Sequence, residues 1–156
     1  MWPVKAESRL RTAAAYRAKL ITGTYILQVH NVKFNLQTSP LCPLCGTEAE
    51  DVPHFLFSCP ATQKIRDNFQ ARLKESDISI DTNDTDERGM TRMLLNAGPS
   101  PKNKCTSSDH RESNMINNPC KCMKLSNTVN SMILGLHNKR NELLGIKKKT
   151  KRKTKK

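Results

Sequence analysis

The chain has 156 residues, with 27 Lys plus Arg against 14 Asp plus Glu, a formal net charge of +13, and only 36% hydrophobic and 4% aromatic residues. An apolar fraction this thin predicts one small, mainly α-helical unit with long disordered loops, not a large catalytic fold. No stretch approaches the roughly 18 apolar residues of a membrane span, and residues 1–15 lack a secretory apolar run. The six cysteines therefore point to a reducing compartment and to metal ligation instead of disulfides.

The first predicted helix covers residues 8–22. Ser8 suits the N-cap, Ala13, Ala14 and Ala15 favour helix, Leu10, Ala14, Leu20 and Ile21 give a partial apolar face, and Gly23 ends it. Lys5, Arg9, Arg11, Arg17 and Lys19 lie on or beside it, with Glu7 as the only acid among them. Such a stripe reads either as a solvated face or as a grip for nucleic-acid phosphates. Residues 25–36 carry Ile26, Leu27, Val29, Val32 and Phe34 in loose alternation, which reads as a short strand or an extended linker.

The strongest signal follows. Cys42, Cys45, His54 and Cys59 place three thiols and one imidazole within eighteen residues. A tetrahedral Zn2+ takes such donors at about 2.0–2.3 Å, and structural sites are closed by four protein ligands. Cys42-Pro-Leu-Cys45 fits one tight turn, and Gly46 stands where the chain must reverse. Pro53 fits the first turn of a short helix bearing His54. An unbroken α-helix would set His54 and Cys59 about 140° apart, so the turn is expected to end near Ser58. Pro60 keeps Cys59 out of the α region.

A second helix is predicted over residues 60–74. Ile65, Phe69 and Leu73 form a stripe expected to pack on the first helix, with Phe55 and Leu56 filling the gap beside the metal. Residues 75–87 are acidic and polar and read as a solvated linker. A short helix is predicted near residues 86–97, with Met90, Met93, Leu94 and Leu95, stopped by Gly98 and Pro99. Residues 100–121 read as disordered, yet Cys105, His110 and Cys120 within them and Cys122 directly after form a candidate second metal set of uncommon spacing.

The last helix is predicted over residues 127–144. Val129, Met132, Ile133, Leu136, Leu143 and Leu144 repeat at helical spacing, Arg140 interrupts the stripe, and Gly145 ends it. An apolar face with so little core to cover it suggests docking against a separate domain. The tail holds Lys147, Lys148, Lys149, Lys151, Arg152, Lys153, Lys155 and Lys156 without an acid. It reads as an extended, phosphate-binding and nuclear-import segment.

Residues 20–25, the Cys42-Pro-Leu-Cys45-Gly46 turn, Glu48 and His54-Phe-Leu-Phe-Ser-Cys59-Pro60 resemble the zinc-binding segment that follows the reverse transcriptase domain in non-long-terminal-repeat (LINE-type) retrotransposon polyproteins. The likeness covers residues 8–73. It implies Cys42, Cys45, His54 and Cys59 as Zn2+ ligands, contact with element RNA or target DNA, an upstream reverse transcriptase domain as partner, and no polymerase chemistry in this piece.

These readings divide the chain into a helix and CCHC knuckle module at 8–75, a linker at 76–123, an amphipathic helix at 124–145 and a basic tail at 146–156. They predict a nuclear, non-catalytic, zinc-dependent nucleic-acid-binding fragment with no membrane partner. The alternative is a zinc-stabilised protein-interaction module or a retroelement remnant without function. Four protein ligands leave no open metal position, which argues against a metalloenzyme.

Overall fold

The computed structural model describes residues 4–78, 87–96 and 120–146, which are mostly helical and contain no strand. The expected disorder of the linker and tail falls almost wholly outside these residues. Helix α1 spans Val4–Thr22, so it starts ahead of the expected residue 8 and Ser8 lies inside it instead of capping it. Its buried face is Ala13 and Leu20, with Tyr16 packed beside them, whereas Ala14 and Ile21 are exposed and depart from the expected stripe. Gly23 follows α1 at φ +68°.

Residues 25–36 are neither strand nor extended linker. They hold helix α2, Gln28–Lys33, entered through the buried Leu27. The helix has no side-chain cap of its own. Its first free N–H groups are instead satisfied from a distant segment: Gln28 N–H donates to Glu50 Oε2 (2.9 Å) and Val29 N–H to the Glu50 carbonyl (3.4 Å). It ends with Asn35 at φ +56° and a Leu36 N–H to Asn31 carbonyl bond of 2.8 Å, the left-handed termination that Asn tolerates.

Helix α3, Gln63–Glu75, helix α4, Glu87–Asn96, and helix α5, Lys121–Leu143, complete the element order. The Ile65, Phe69 and Leu73 stripe packs chiefly against α5 and not against α1. Helix α5 is the centre of the core. Val129, Ile133 and Leu136 have no exposed surface, and α1 and α3 both lie along it. The Val129, Met132, Ile133 and Leu136 part of the apolar face expected to await another domain is therefore covered within this chain, whereas Leu143 is exposed. α5 also begins at Lys121, ahead of the predicted start at residue 127.

Close approach of α3 to α5 depends on Gly135, where an added Cβ would sit 3.2 Å from Ile65 Cγ2. At the other end, Gly145 at φ +67° terminates α5 as predicted. Among the described residues no helix is long and apolar enough to cross a membrane.

Candidate metal centre

Residues 40–50 fold back on themselves. Leu41 and Ala49 form an antiparallel bridge, Cys42 N–H donates to the Glu48 carbonyl (2.7 Å), and Glu50 N–H donates to the Pro40 carbonyl (2.8 Å). Within this loop Gly46, at φ +70°, donates its N–H to the Cys42 carbonyl (2.8 Å). The reversal aims Cys42 and Cys45 at one point, and positive φ costs glycine little there.

The second pair of donors comes from a π-helical turn, His54–Ser58. Its closing bond runs from Cys59 N–H to the His54 carbonyl (2.9 Å). This i→i+5 ring is wider than an α turn and brings residue 59 back over residue 54. The sequence reading expected an interrupted turn here, and the π geometry is how the five-residue spacing is accommodated. Asp51 Oδ1 accepts the His54 N–H (2.8 Å) at the start of the turn. Cys59 itself is extended, with ψ 115°, and Pro60–Thr62 then forms a 3₁₀ turn into α3.

The donor atoms of Cys42, Cys45, His54 and Cys59 all lie within 4.8 Å of one another, so the four predicted ligands converge. Cys42 Sγ and Cys59 Sγ are 3.8 Å apart, and Cys45 Sγ and His54 Nε2 are 3.4 Å apart. Tetrahedral coordination with bonds of about 2.0–2.3 Å sets paired donors about 3.5–3.8 Å apart. The residues present therefore fit a four-coordinate metal ion.

Surrounding groups prepare the donors. His54 Nδ1 donates to Glu48 Oε2 at 2.9 Å, leaving Nε2 as the lone-pair atom facing the sulfurs. Burial pushes the Cys42 thiol up to about 12, with Cys59 nearby adding to it and backbone hydrogen bonds from Cys45 and Leu44 opposing it. At Cys45 slight burial opposes the thiolate, but hydrogen bonds from the Thr47 hydroxyl and the Thr47 and Glu48 backbone outweigh it and hold the thiol at about 6. One sulfur is thus ready as a thiolate. The buried Cys42 needs a cation beside it to ionise, which is the chemistry of a metal site.

Two arginines missed by sequence reasoning hold this centre in place. Glu50, 1% exposed, receives Arg140 Nε on Oε1 (2.7 Å) and Arg140 Nη2 on Oε2 (2.9 Å). Burial opposes the Arg140 charge, but the hydrogen-bonded Glu50 carboxylate outweighs it and raises the pKa. This ion pair joins the hairpin to α5 across 90 positions of sequence. Arg66 donates to the Cys59 carbonyl and to Thr62 Oγ1 (2.9 Å), fixing the last ligand against α3. The readable signal for Arg140 was a cation inside an apolar stripe, which requires a buried carboxylate partner. Glu50 was one of three acids between the ligands, and spacing alone did not distinguish it from Glu48 or Asp51.

The basic residues of α1 do not behave alike. Arg9 and Arg11 are exposed, and Lys19 sits 6.0 Å from the Tyr16 ring centre. Arg17 is drawn inward: Nε donates to the Leu95 carbonyl and Nη1 to Ser126 Oγ (3.1 Å) and Asn130 Oδ1 (3.4 Å). It satisfies the end of α4 and ties that helix to α5, a use that competes with phosphate binding. The Lys5 side chain, the run from residue 147 to 156, Cys105 and His110 lie outside the described residues. Cys120 and Cys122 open α5 with sulfurs 2.8 Å apart, and among the described residues the Cys42 group is the only metal-competent cluster. No family model, curated protein or solved structure matches the chain.

Proposed function

We propose that this chain is a non-catalytic zinc-knuckle module that binds nucleic acid, in the manner implied by its resemblance to the segment following a LINE-type reverse transcriptase domain. The carrying observation is the convergence of Cys42, Cys45, His54 and Cys59 at tetrahedral spacing. Three thiolates and one imidazole suit Zn2+. With all four positions taken by protein, the ion fixes structure and offers no site to activate water. The net charge of +13 supplies affinity for phosphates, and the basic run at residues 147–156 directs the chain to the nucleus.

The test is binding of the reduced, zinc-loaded full chain to single-stranded RNA across a salt series. Affinity is expected to fall by close to the single-strand slope, about −0.7 in log affinity per log salt for each phosphate neutralised, and to be lost on chelation. Salt-insensitive binding, or binding indifferent to chelation, contradicts the reading.

The zinc-stabilised protein-interaction module is the second reading, supported by exposed Ile26, Phe34, Leu36 and Leu41. If removal of the basic tail abolishes RNA binding while Cys42→Ser leaves it intact, this second reading holds.

A further inference from the structure

Most large hydrophobic side chains of the described residues are buried, and the exceptions are concentrated. Among the described residues Ile21, Ile26, Phe34, Leu36 and Leu41 are exposed within one segment, Ile26, Phe34 and Leu36 each by about two-thirds, whereas Leu143 and Ile146 are exposed at and beyond the end of α5; Phe34 is the only aromatic among them. Tyr16, Tyr25, Phe55, Phe57 and Phe69 all belong to the core or pack against it. Single exposed hydrophobes are ordinary. A phenyl ring and three exposed aliphatics within sixteen residues of chain are a concentration of exposed apolar surface.

Charge decides what such a surface fits. Residues 8–47 contain five Lys or Arg and no Asp or Glu, whereas residues 48–96 contain six Lys or Arg and ten Asp or Glu. Ile21, Ile26, Phe34, Leu36 and Leu41 all lie in the acid-free stretch. Lys33 adjoins Phe34 directly, and the end of α1 meets α2 where the His30 ring lies 3.8 Å from the Cβ position of Gly23. Lys19 lies in the last turn of α1, and its carbonyl accepts the Thr24 and Tyr25 N–H groups in the link that leads to α2. Interfaces between proteins are depleted of lysine. An unpaired base, by contrast, offers an apolar face to stack on an aromatic ring and a phosphate for the neighbouring cations.

Resting on the nucleic-acid reading above, we propose that Phe34, at the end of α2, stacks on an unpaired base of single-stranded nucleic acid, with Lys33 and Lys19 on the adjoining phosphates. The backbone that carries the ring is well fixed. The Asn35 left-handed turn ends α2 directly after Phe34, and α2 hangs from the hairpin through the two Glu50 bonds to Gln28 and Val29. The hairpin carries Cys42 and Cys45, so the platform is built on the metal-organised segment. Stacking is tolerant of base identity, since every base has a π-face, and this predicts preference for unpaired strands without a sequence code.

The experiment compares the zinc-loaded full chain with Phe34→Ala and Phe34→Trp on two probes of equal length, a thymidine oligonucleotide and an abasic oligonucleotide. Metal content is measured for each variant, which separates local loss from misfolding. Phe34→Ala is expected to weaken thymidine binding roughly 5- to 150-fold, leave abasic binding within about twofold, and keep its metal, while Phe34→Trp retains thymidine binding. Equal loss on both probes, or no loss on thymidine, overturns the proposal. So does a Phe34→Ala variant with unchanged binding that converts a dimer to a monomer in sedimentation, because Phe34 then belongs to a self-association surface. If the unsubstituted chain binds neither probe, the nucleic-acid reading itself fails; if it binds both but ignores Phe34, only the stacking assignment fails.

Discussion

The knuckle at residues 40–60 and helix α5 are built by opposite means. The knuckle has a short hairpin and a π turn, and its order comes from donors that meet at one point. Helix α5 contributes no metal-competent donor to that cluster and is held by apolar burial at Val129, Ile133 and Leu136. The first is local: bonds such as Gly46 to Cys42 and Cys59 to His54 span four and five residues. The second is distant, because α5 packs on α1 and α3 from the far end of the chain. The two meet at Glu50 and Arg140, both buried. A loop organised around the donor cluster and an apolar core are therefore tied by this buried ion pair, alongside Arg66 and the buried Phe55 and Leu56.

The largest expected effect comes from breaking the local side. Cys42→Ser removes a buried ligand, and structural zinc supplies about 10–16 kcal/mol in comparable peptides. The variant is predicted to lose metal and amide protection in residues 40–60. Residual helicity from α1, α3 and α5 is expected to persist in circular dichroism, because their shared apolar core contains no ligand. Simultaneous loss of all helical signal would mean that the two regions are one unit.

Next in size is the tie itself. Arg140→Ala leaves Glu50 buried without its partner and is expected to destabilise the fold by about 3–5 kcal/mol in denaturant titration. It should also weaken metal binding, although Arg140 is no ligand, because Glu50 then ceases to anchor the hairpin and the start of α2. Replacing both members, with Glu50→Gln and Arg140→Met, should recover part of the loss. An Arg140→Ala protein with unchanged stability would show that the ion pair does not couple the regions.

A smaller effect is predicted at Glu48, which is exposed yet orients His54. Glu48→Ala is expected to lower metal affinity by about 10- to 100-fold in a chelator competition, with little change in global stability of the loaded protein. Unchanged affinity would reduce the 2.9 Å Glu48–His54 contact to an incidental surface pair.

The same division explains what the sequence made legible. The knuckle was readable because its chemistry is written in spacing: two thiols around Pro43 and Leu44, a reversing Gly46, and proline on either side of the second donor pair. The α4 and α5 stripes were readable for the same periodic reason, and Gly145 marked the end of α5. Helix α2 was not, because its first N–H groups are satisfied by Glu50, some twenty residues downstream, and no local cap announces it. Arg17 looked like a surface cation because nothing near it in sequence reveals the Leu95 carbonyl, Ser126 and Asn130 that hold it. Arg140 looked like a flaw in an apolar stripe for the same reason. Covering the α5 face within the chain required knowing that α1 and α3 both reach it, which periodicity of a single helix does not encode.

Elemental analysis of the reduced, purified full chain addresses the central claim most directly, alongside the same measurement on Cys59→Ser. The account predicts one zinc ion per chain, lost in the variant together with the order of residues 40–60. A chain that is compact and fully protected in that segment while holding no metal would contradict it.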